Sequence, residues 1–161
     1  MSYWQEELAR TYRQYQPMLY RLAFAYMKNR ADSEDLVHDC FVKLLVKERH
    51  FRSAEHEKAW LITVLENLTK DKLKQKSRTE LDLSDFENYL ASTQDESTHE
   101  ILRTVLTLPE RLILPVYLFY YEGYQTGEIA QILRRNPSTV RNQLSEARQR
   151  LRHLLEVQDE K

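Results

Sequence analysis

Polar and basic side chains near the end of the chain have the types and spacing that could contact a nucleic acid. The stretch NPSTVRNQLSEARQRL occupies residues 136–151. An arginine such as Arg141 can reach a guanine edge or a phosphate, and an asparagine such as Asn142 can pair with adenine. Small hydroxyl groups beside them permit close approach. The residues that we predict to contact DNA are Ser138, Thr139, Arg141, Asn142, Ser145 and Arg148.

The same stretch is well specified as an α-helix. Asn136 is a preferred N-cap residue, and Pro137 suits the first helical position. Apolar residues spaced four and three apart predict one buried face, made by Val140, Leu144, Ala147, Leu151 and Leu154. The short helix TGEIAQIL and a tight turn precede it, an order typical of a helix-turn-helix whose second helix enters the major groove. The pattern alone leaves open a solvated surface helix with scattered arginines.

A second group of charged residues lies in the first half of the chain. Asp35, His38 and Asp39 fall at i, i+3 and i+4, so they share one face of a predicted helix. Stabilisation of the helix dipole by Asp35, together with solvation, is an alternative reading of these residues. A metal site made by His38 and Cys40 is disfavoured, because residues two apart on a helix do not face each other.

Charge is unevenly distributed along a chain whose net charge is −1. Residues 1–78 carry a net charge of +4, residues 79–100 of −7 and residues 101–161 of +2. The first segment ends in the basic run KDKLKQKSR, and the acidic segment contains no lysine or arginine. Two basic segments therefore flank an acidic one, which indicates two functional parts and a connection between them.

Hydrophobic periodicity predicts an all-α chain. An apolar stripe from Trp4 to Tyr15 predicts a first helix, and Pro17 is expected to begin a second. Ser33 is expected to cap a third helix that ends near Arg49, and a fourth starts near Glu57. Periodicity fades over residues 79–98, so we expect a linker with a short turn of helix at LSDFENYL. Helices HEILRTVLTL and PERLILPVYLFYYEG, the latter ended by a glycine, precede TGEIAQIL.

Composition argues against several classes of protein. Only two glycines and four prolines occur in 161 residues, which disfavours a turn-rich β-protein. The single cysteine, Cys40, excludes an internal disulfide, is expected to be a small buried hydrophobe and is typical of a reducing cytoplasm. No apolar run approaches a membrane span, so we expect no membrane insertion. The lack of a phosphate-cradling glycine loop or metal-ligand cluster argues against an enzyme, and we expect no cofactor and no metal.

Three blocks of the chain resemble, in the family's order, regions of the extracytoplasmic-function (ECF) sigma factors of bacterial RNA polymerase. ADSEDLVHDCFVKLL resembles region 2.2, which binds the core polymerase. KAWLITVLENLTKDKLKQKSR resembles regions 2.3 and 2.4, which read and melt the −10 promoter element. LPERLILPVYLFYYEGYQTGEIAQILRRNPSTVRNQLSEARQRLRHLL resembles region 4, which reads the −35 element. Together the blocks cover most of the chain.

The resemblance implies an architecture, a function and partners. It implies a four-helix sigma region 2 domain over residues 1–78, an acidic flexible linker over 79–98 and a region 4 helix-turn-helix domain over 99–157. The implied function is transcription initiation in the cytoplasm, without enzymatic activity of its own. The implied partners are core RNA polymerase, promoter DNA and an anti-sigma factor. The linker is expected to be mobile in the free protein and to thread the RNA path of the polymerase.

The resemblance also implies roles for individual residues. Asp35, His38 and Asp39 would contact a helical coiled coil of the polymerase's largest subunit. Asn67 would meet the unpaired −10 strand, where Phe51 could stack on bases and where we expect Trp60 to be packed instead. The phosphate-binding charge around Asn67 would come from Lys70, Lys72, Lys74, Lys76 and Arg78. The DNA-contacting residues of the stretch 136–151 would read the −35 element.

The chain departs from the family pattern at a few positions. Arg134 and Arg135 stand where the family's turn usually carries a glycine and an aliphatic residue, and two extra positive charges are tolerable beside DNA. Ser145 and Glu146 replace frequent aromatic or basic residues, and Glu146 would repel phosphate or accept from a cytosine amino group. Glu66 replaces a common basic residue. These differences bear on which promoter is read.

Two other functions are compatible with parts of the sequence. A free-standing helix-turn-helix regulator would bind operators as a dimer and would sense a ligand through residues 1–98, but no dimerisation face or pocket is evident. A helical protein-binding adaptor would have no use for the clustered basic ends of the helices. Its activity would be insensitive to salt, whereas phosphate contacts lose affinity steeply as salt rises.

Overall fold

Helices with one apolar face make up the regular secondary structure that the sequence periodicity predicts. The computed structural model describes residues 3–47, 51–76 and 80–159, and the side chains of residues 5–47, 51–76 and 80–153. Within these ranges every element is helical, which confirms the all-α prediction. The chain divides into two compact units, Met1–Gln94 and Asp95–Lys161.

The N-terminal unit contains four helices in its described residues. They are α1 (Tyr3–Met27), α2 (Arg30–Leu45), α3 (Ala54–Gln75) and α4 (Leu83–Ser92). The core lies where α1, α2 and α3 pack against one another. Its largest fully buried side chains include Leu19, Leu22, Phe24, Leu36, Leu61, Ile62 and Leu65. This bundle supports the candidate residues on α2 and α3.

Pro17 lies inside α1, and the prediction that it begins a second helix is wrong. A proline removes one hydrogen bond of a helix because it has no N–H. Tyr15, Met18 and Leu19, on both sides of the exposed Pro17, are each at most 5% exposed. Since these residues pack into the same core, tertiary contacts keep the helix continuous despite the lost bond.

Helix α2 begins before the predicted cap. Asn29, in an extended conformation, caps it by accepting a 2.9 Å hydrogen bond from the N–H of Asp32. Ser33 lies inside the helix, is fully buried and donates its hydroxyl to the carbonyl oxygen of Asn29 at 2.6 Å. Asparagine and serine are both good caps, and here the first of them in the chain is used. The helix ends at Leu45 with Val46 as its C-cap, earlier than the predicted end near Arg49.

Helix α4 lies where the sequence predicts a short turn of helix at LSDFENYL, but it packs against α1, which the expectation of a flexible linker did not include. Helix α4 places Phe86 and Tyr89 against Phe24 of α1, with ring centroids 6.2 and 5.4 Å away. The N–H of Asp82 donates to the carbonyl oxygen of Lys28 at 2.9 Å. Asp85 accepts from the backbone N–H that begins α2, at 2.8 Å. Aromatic packing and these backbone hydrogen bonds outweigh the acidic composition that suggested disorder.

The C-terminal unit contains α5 (Glu96–Val105), α6 (Glu110–Val116), α7 (Thr126–Leu133) and α8 (Pro137–Asp159). A π-helical turn, Tyr117–Tyr121, continues α6. Gly123 follows with a φ angle of 76°, which agrees with its predicted place at the end of this helix. Helices α6, α7 and α8 pack together around a core that includes Leu112, Ile113, Ile129, Leu133, Val140 and Leu144.

Candidate functional site

The N-terminus of α8 has the capped geometry that its sequence predicts. The side-chain oxygen Oδ1 of Asn136 accepts hydrogen bonds from the N–H of Ser138 at 3.0 Å and from its hydroxyl at 2.9 Å. The helix begins at Pro137, as predicted. Since the hydroxyl of Ser138 takes part in the cap, this candidate DNA contact also fixes the start of the helix.

The buried and exposed faces of α8 are separated as the spacing predicts. Val140, Leu144 and Ala147 are at most 3% exposed and pack toward the unit's core, and Leu151 is half-buried. The side chain of Leu154 lies outside the described residues. On the opposite face the candidate side chains Ser138, Thr139, Arg141, Asn142 and Arg148 are exposed and Ser145 is half-buried. The structure therefore brings the six −35 candidates together on one surface of one helix.

Arg148 is the candidate on α8 that contacts a neighbouring element. Its Nη1 donates to the hydroxyl oxygen of Tyr120, in the π-helical turn, at 3.5 Å. Both side chains are exposed, with Tyr120 at 47%. A phosphate could displace this contact at small cost, because both groups already face water.

The turn between α7 and α8 carries the two arginines that depart from the family pattern. Arg134 is exposed and adopts a left-handed conformation (φ 53°, ψ 48°), where a glycine has no steric penalty. Arg135 is half-buried, and its Nη1 donates to Oε1 of Gln143 on α8 at 3.0 Å. The two arginines therefore have different surroundings. The sequence alone predicted the same role for both, as extra positive charges beside DNA.

Glu146 is held by an arginine of another helix. Its two carboxylate oxygens accept from Nη2 of Arg111, on α6, at 2.6 Å each. Nε of Arg150 lies 3.8 Å from Oε2. The carboxylate is therefore engaged within the unit, an arrangement that the predicted alternatives of phosphate repulsion or cytosine recognition did not include. Arg111 was not among the candidates, since its partner lies 35 residues away.

The candidate polymerase-binding residues lie along α2. Asp35 and His38 are exposed, and Asp39 is half-buried. Asp39 Oδ2 pairs with Nζ of Lys72 on α3 at 3.1 Å. Two turns earlier in α2, Asp32 pairs with Lys76. Helix spacing places the three candidates on one face, as predicted, and the ion pairs join that face to the basic end of α3.

The candidate −10 residues lie on the second half of α3. Asn67, Lys70 and Lys74 are exposed. Nζ of Lys70 lies 3.1 Å from the carboxylate of Glu66, which is mostly buried. The predicted contact Arg78 lies outside the described residues. Asn67 and Lys74 are thus exposed to solvent. Lys70 is also exposed, but its ammonium group is paired with Glu66.

An aromatic cluster lies at the start of α3. The rings of Phe51 and Trp60 are 5.5 Å apart, and Nζ of Lys47 lies 4.9 and 5.0 Å from their centroids. Trp60 is half-buried, so it is neither fully packed into the core nor free of neighbours. The position of Lys47 beside the two rings was not predicted, because this lysine follows the end of α2 and is separated from Trp60 along the chain.

An apolar groove runs between α1 and α2 of the N-terminal unit. Its volume is about 370 Å³, and its walls include Leu8, Tyr12, Phe41, Val42 and Leu45, with His38 at the same groove. Tyr12, Val42 and Leu45 are 42–48% exposed. The groove therefore continues the face on which the candidate polymerase contacts lie.

The titratable groups with shifted pKa values lie mainly in packed positions. Burial raises the pKa of the Cys40 thiol to about 12, so this side chain remains a protonated, buried hydrophobe, in agreement with the prediction. Burial also raises the pKa of Tyr89 on α4. Within the described residues no group of three or more His, Cys, Asp or Glu side chains could hold a metal ion. No described helix is both long and apolar enough to cross a membrane.

Family models match both units of the chain. The Sigma-70 region 2 model matches residues 11–79, and the Sigma-70 region 4 model matches residues 98–151. The RNA polymerase sigma factor SigV of Bacillus subtilis is 32% identical over 142 residues, which cover 87% of this chain and 86% of that protein. The ECF RNA polymerase sigma factor SigE of Mycolicibacterium smegmatis is 26% identical over 89% of this chain and 59% of that protein.

Two solved structures have the same fold. One is the sigma factor RpoE in complex with the anti-sigma factor NepR from Bartonella quintana, with a TM-score of 0.68 and 21% identity over 94% of this chain and 98% of that one. The other is CnrH in complex with the cytosolic domain of CnrY, with a TM-score of 0.63 and 19% identity over 95% of this chain and 90% of that one.

Proposed function

The chain belongs to the sigma-70 family of RNA polymerase sigma factors, in its ECF group, and from that premise we propose that its two units read the two promoter elements through the residues described above. The protein is a promoter-specific transcription initiation factor that binds RNA polymerase, and it is not an enzyme. In the proposal, residues 1–78 bind the core polymerase and read the −10 element, and residues 99–157 read the −35 element.

Helix α8 carries the −35 proposal. Its first two turns present Thr139, Arg141 and Asn142 to solvent while Val140 and Leu144 anchor the opposite face. A recognition helix places its N-terminal residues at base edges in the major groove. Arg141 supplies the donors for a guanine edge, and Asn142 supplies the donor and acceptor that adenine requires. Ser138, Ser145 and Arg148 lie on the same surface and complete the contact with bases and phosphates.

Helix α3 carries the −10 proposal. Asn67 is exposed and lies between the aromatic cluster of Phe51 and Trp60 and the basic end of the helix. Exposed amides and aromatic rings bind unpaired bases, and lysines bind the backbone of the strand. Asn67 would therefore contact the unpaired strand, with Lys70 and Lys74 neutralising phosphates.

Helix α2 carries the polymerase proposal. Asp35 and His38 are exposed, Asp39 is partly exposed, and the apolar groove lies beside His38. A polar patch next to an apolar groove has the composition of a protein interface, with a hydrophobic centre and a charged rim. A helical coiled coil of the polymerase is the proposed occupant, and an anti-sigma factor that competes for this surface is a further proposed partner. Both partners place the site of action in the cytoplasm.

Run-off transcription with core polymerase on a promoter library tests the proposal directly. We expect transcripts from promoters that share two recognised elements, and we expect the protein to co-elute with core polymerase. A protein that forms a stable dimer and protects a palindrome without polymerase would overturn the proposal. The variant Asn88→Ala, on the exposed face of α4, is a suitable control because it changes no proposed contact.

A further inference from the structure

Arg135 departs from the family's usual aliphatic residue, and its contacts distinguish it from its neighbour Arg134. Arg134 is exposed, whereas Arg135 is half-buried beneath the start of α8. Its backbone N–H donates to the carbonyl oxygen of Ala130 at 3.0 Å and closes the end of α7. Its side chain then turns toward two other helices. An arginine that donates to other groups of its own unit is less available to a phosphate than the exposed Arg134.

Nη1 of the Arg135 side chain contacts both α8 and α6. Nη1 donates to Oε1 of Gln143 at 3.0 Å and to the carbonyl oxygen of Arg111 at 3.5 Å. That carbonyl is the one whose helical partner would be the N–H of residue 115, and Pro115 has none. The guanidinium therefore donates to an acceptor that the helix itself leaves without its usual bond.

A second contact joins the same two helices. The guanidinium of Arg111 binds both carboxylate oxygens of Glu146 at 2.6 Å. Gln143 and Glu146 are three residues apart, so they lie on one side of α8. Hydrogen bonds of Arg135 and Arg111 thus connect one side of α8 to α6.

We propose that Arg135 and Arg111 are positioning residues that set the orientation of α8, so that they determine base discrimination without contacting DNA. The inference rests on the proposed reading of the −35 element by α8. A rigid helix whose side chains meet base edges must be held within a fraction of an ångström of its productive pose. The apolar face of α8 holds the helix against the core of the unit. The contact of Arg135 with Gln143 and the contact of Arg111 with Glu146, which we call the two clamps, lie on one side of α8 and oppose rotation of the helix about its own axis.

Base discrimination and salt dependence separate this role from a phosphate contact. A lost phosphate contact weakens binding to all sequences and lowers the salt slope by about 0.9. A misplaced recognition helix loses preference among bases while phosphate binding continues. Reconstituted holoenzyme is therefore measured on promoter duplexes with single substitutions in the −35 element, across a range of salt concentrations.

The variants are Arg135→Ala, Arg135→Leu and Gln143→Ala, with Arg134→Ala as the matched control that removes the same charge one residue away. We expect the first three to lower the preference for the best −35 sequence about fivefold to tenfold, since each base contact contributes at least that much discrimination. The salt slope of Arg135→Ala should be no lower than that of Arg134→Ala. Combining Arg135→Ala with Gln143→Ala should add little, because both break one contact.

The opposite results would overturn the inference. A uniform loss of affinity and a lower salt slope for Arg135→Ala than for Arg134→Ala would make Arg135 a phosphate contact. Unchanged base preference in Gln143→Ala would show that the contact between Arg135 and Gln143 does not position α8. This test holds even if Arg135→Ala fails to fold. Arg141→Ala separates the two proposals: if it leaves −35 preference unchanged, the proposed function of α8 fails, and if only Arg141→Ala shifts it, the positioning inference alone fails.

Discussion

The two units of the molecule arrange their charged residues in different ways. In the N-terminal unit, ion pairs connect Asp39 of α2 to Lys72 of α3, and Asp32 of α2 to Lys76, the C-cap residue of α3. The proposed polymerase surface and the proposed DNA surface are therefore joined through the side chains themselves. In the C-terminal unit the pairs of α8 lie along its edge, at Glu146, and its proposed base-reading residues are exposed.

This difference predicts whether a substitution affects one binding activity or two. A change at Asp39 or Lys72 should disturb both polymerase binding and DNA binding, because this ion pair has one partner on each of the two proposed surfaces. A change at a base-reading position of α8 should alter promoter choice alone.

Charge reversal on α2 should have the largest effect. Asp35→Lys combined with Asp39→Lys should abolish holoenzyme formation, because it replaces the acidic patch with repulsive charge and breaks the pair with Lys72. Circular dichroism should show unchanged helicity, since both side chains lie at least partly in solvent. Normal co-elution of the variant with core polymerase would contradict the assignment. Glu87→Lys, on the exposed face of α4, is the control for charge reversal elsewhere in this unit.

Loss of the α4 rings should release this helix from the N-terminal unit. Phe86→Ala with Tyr89→Ala removes the contacts with Phe24 and should destabilise the docking of α4 by about 2 kcal/mol, less than for fully buried aromatics because both rings are half-buried. Hydrogen exchange of residues 83–92 should accelerate, whereas Asn88→Ala should leave it unchanged. Equal exchange in both variants would show that the docking contacts contribute little.

High pH should weaken the same docking. Burial raises the pKa of Tyr89, so the docked state holds its proton to a higher pH than the free helix does. The stabilisation is fully present below the ordinary tyrosine pKa of about 10 and declines as pH rises above it. Exchange of residues 83–92 should therefore show an extra acceleration above that pH. Tyr89→Phe should remove this extra pH dependence, and its persistence would assign it to another group.

Relief of backbone strain in the C-terminal unit should have a smaller effect. Arg134→Gly removes a side chain from a left-handed position and should raise the unfolding free energy of this unit by about 1 kcal/mol. Arg134→Ala retains the strained conformation while losing the same charge, so it should not be stabilised. Thermal unfolding of both variants measures the difference, and equal midpoints would contradict the strain argument.

The coupling between the two surfaces of the N-terminal unit should be the smallest effect. Asp39 and Lys72 are 44% and 29% exposed, and pairs this accessible contribute about 0–1 kcal/mol. A double-mutant cycle with Asp39→Ala and Lys72→Ala, read out as affinity for core polymerase, should give a measurable coupling of no more than about 1 kcal/mol. Additive effects would show that the pair does not connect the two surfaces.

Most of the fold could be predicted because it depends on local patterns. Apolar spacing defined the buried face of α8, and Asn136 with Pro137 defined its start. Pro17 was misread because its local preference for a helix start is overcome by packing on both sides, which depends on residues elsewhere in the chain. The acidic composition of residues 79–98 concealed Phe86 and Tyr89, three residues apart, whose partners lie on α1.

The candidate site likewise contains residues that could be predicted from local spacing and contacts that depend on the tertiary fold. The exposed positions of α8 follow from the helical period that also gives its core. The clamp from Arg111 to Glu146 spans 35 residues, and the pair of Lys72 and Asp39 joins two helices, so neither could be read from spacing. Arg135 was expected to add charge beside DNA, but only the fold shows that its guanidinium reaches Gln143.

Selection of promoters by variant holoenzymes tests the central claim most directly. Wild-type protein, Asn67→Ala, and Arg141→Ala combined with Asn142→Ala are each assembled with core polymerase and supplied with one promoter library randomised at both elements. We expect the α8 variant to lose base preference in the −35 element and to keep it in the −10 element, and we expect Asn67→Ala to do the reverse. Unchanged −35 preference in the α8 variant, or loss of the −10 preference with it, would contradict the assignment of one element to each unit.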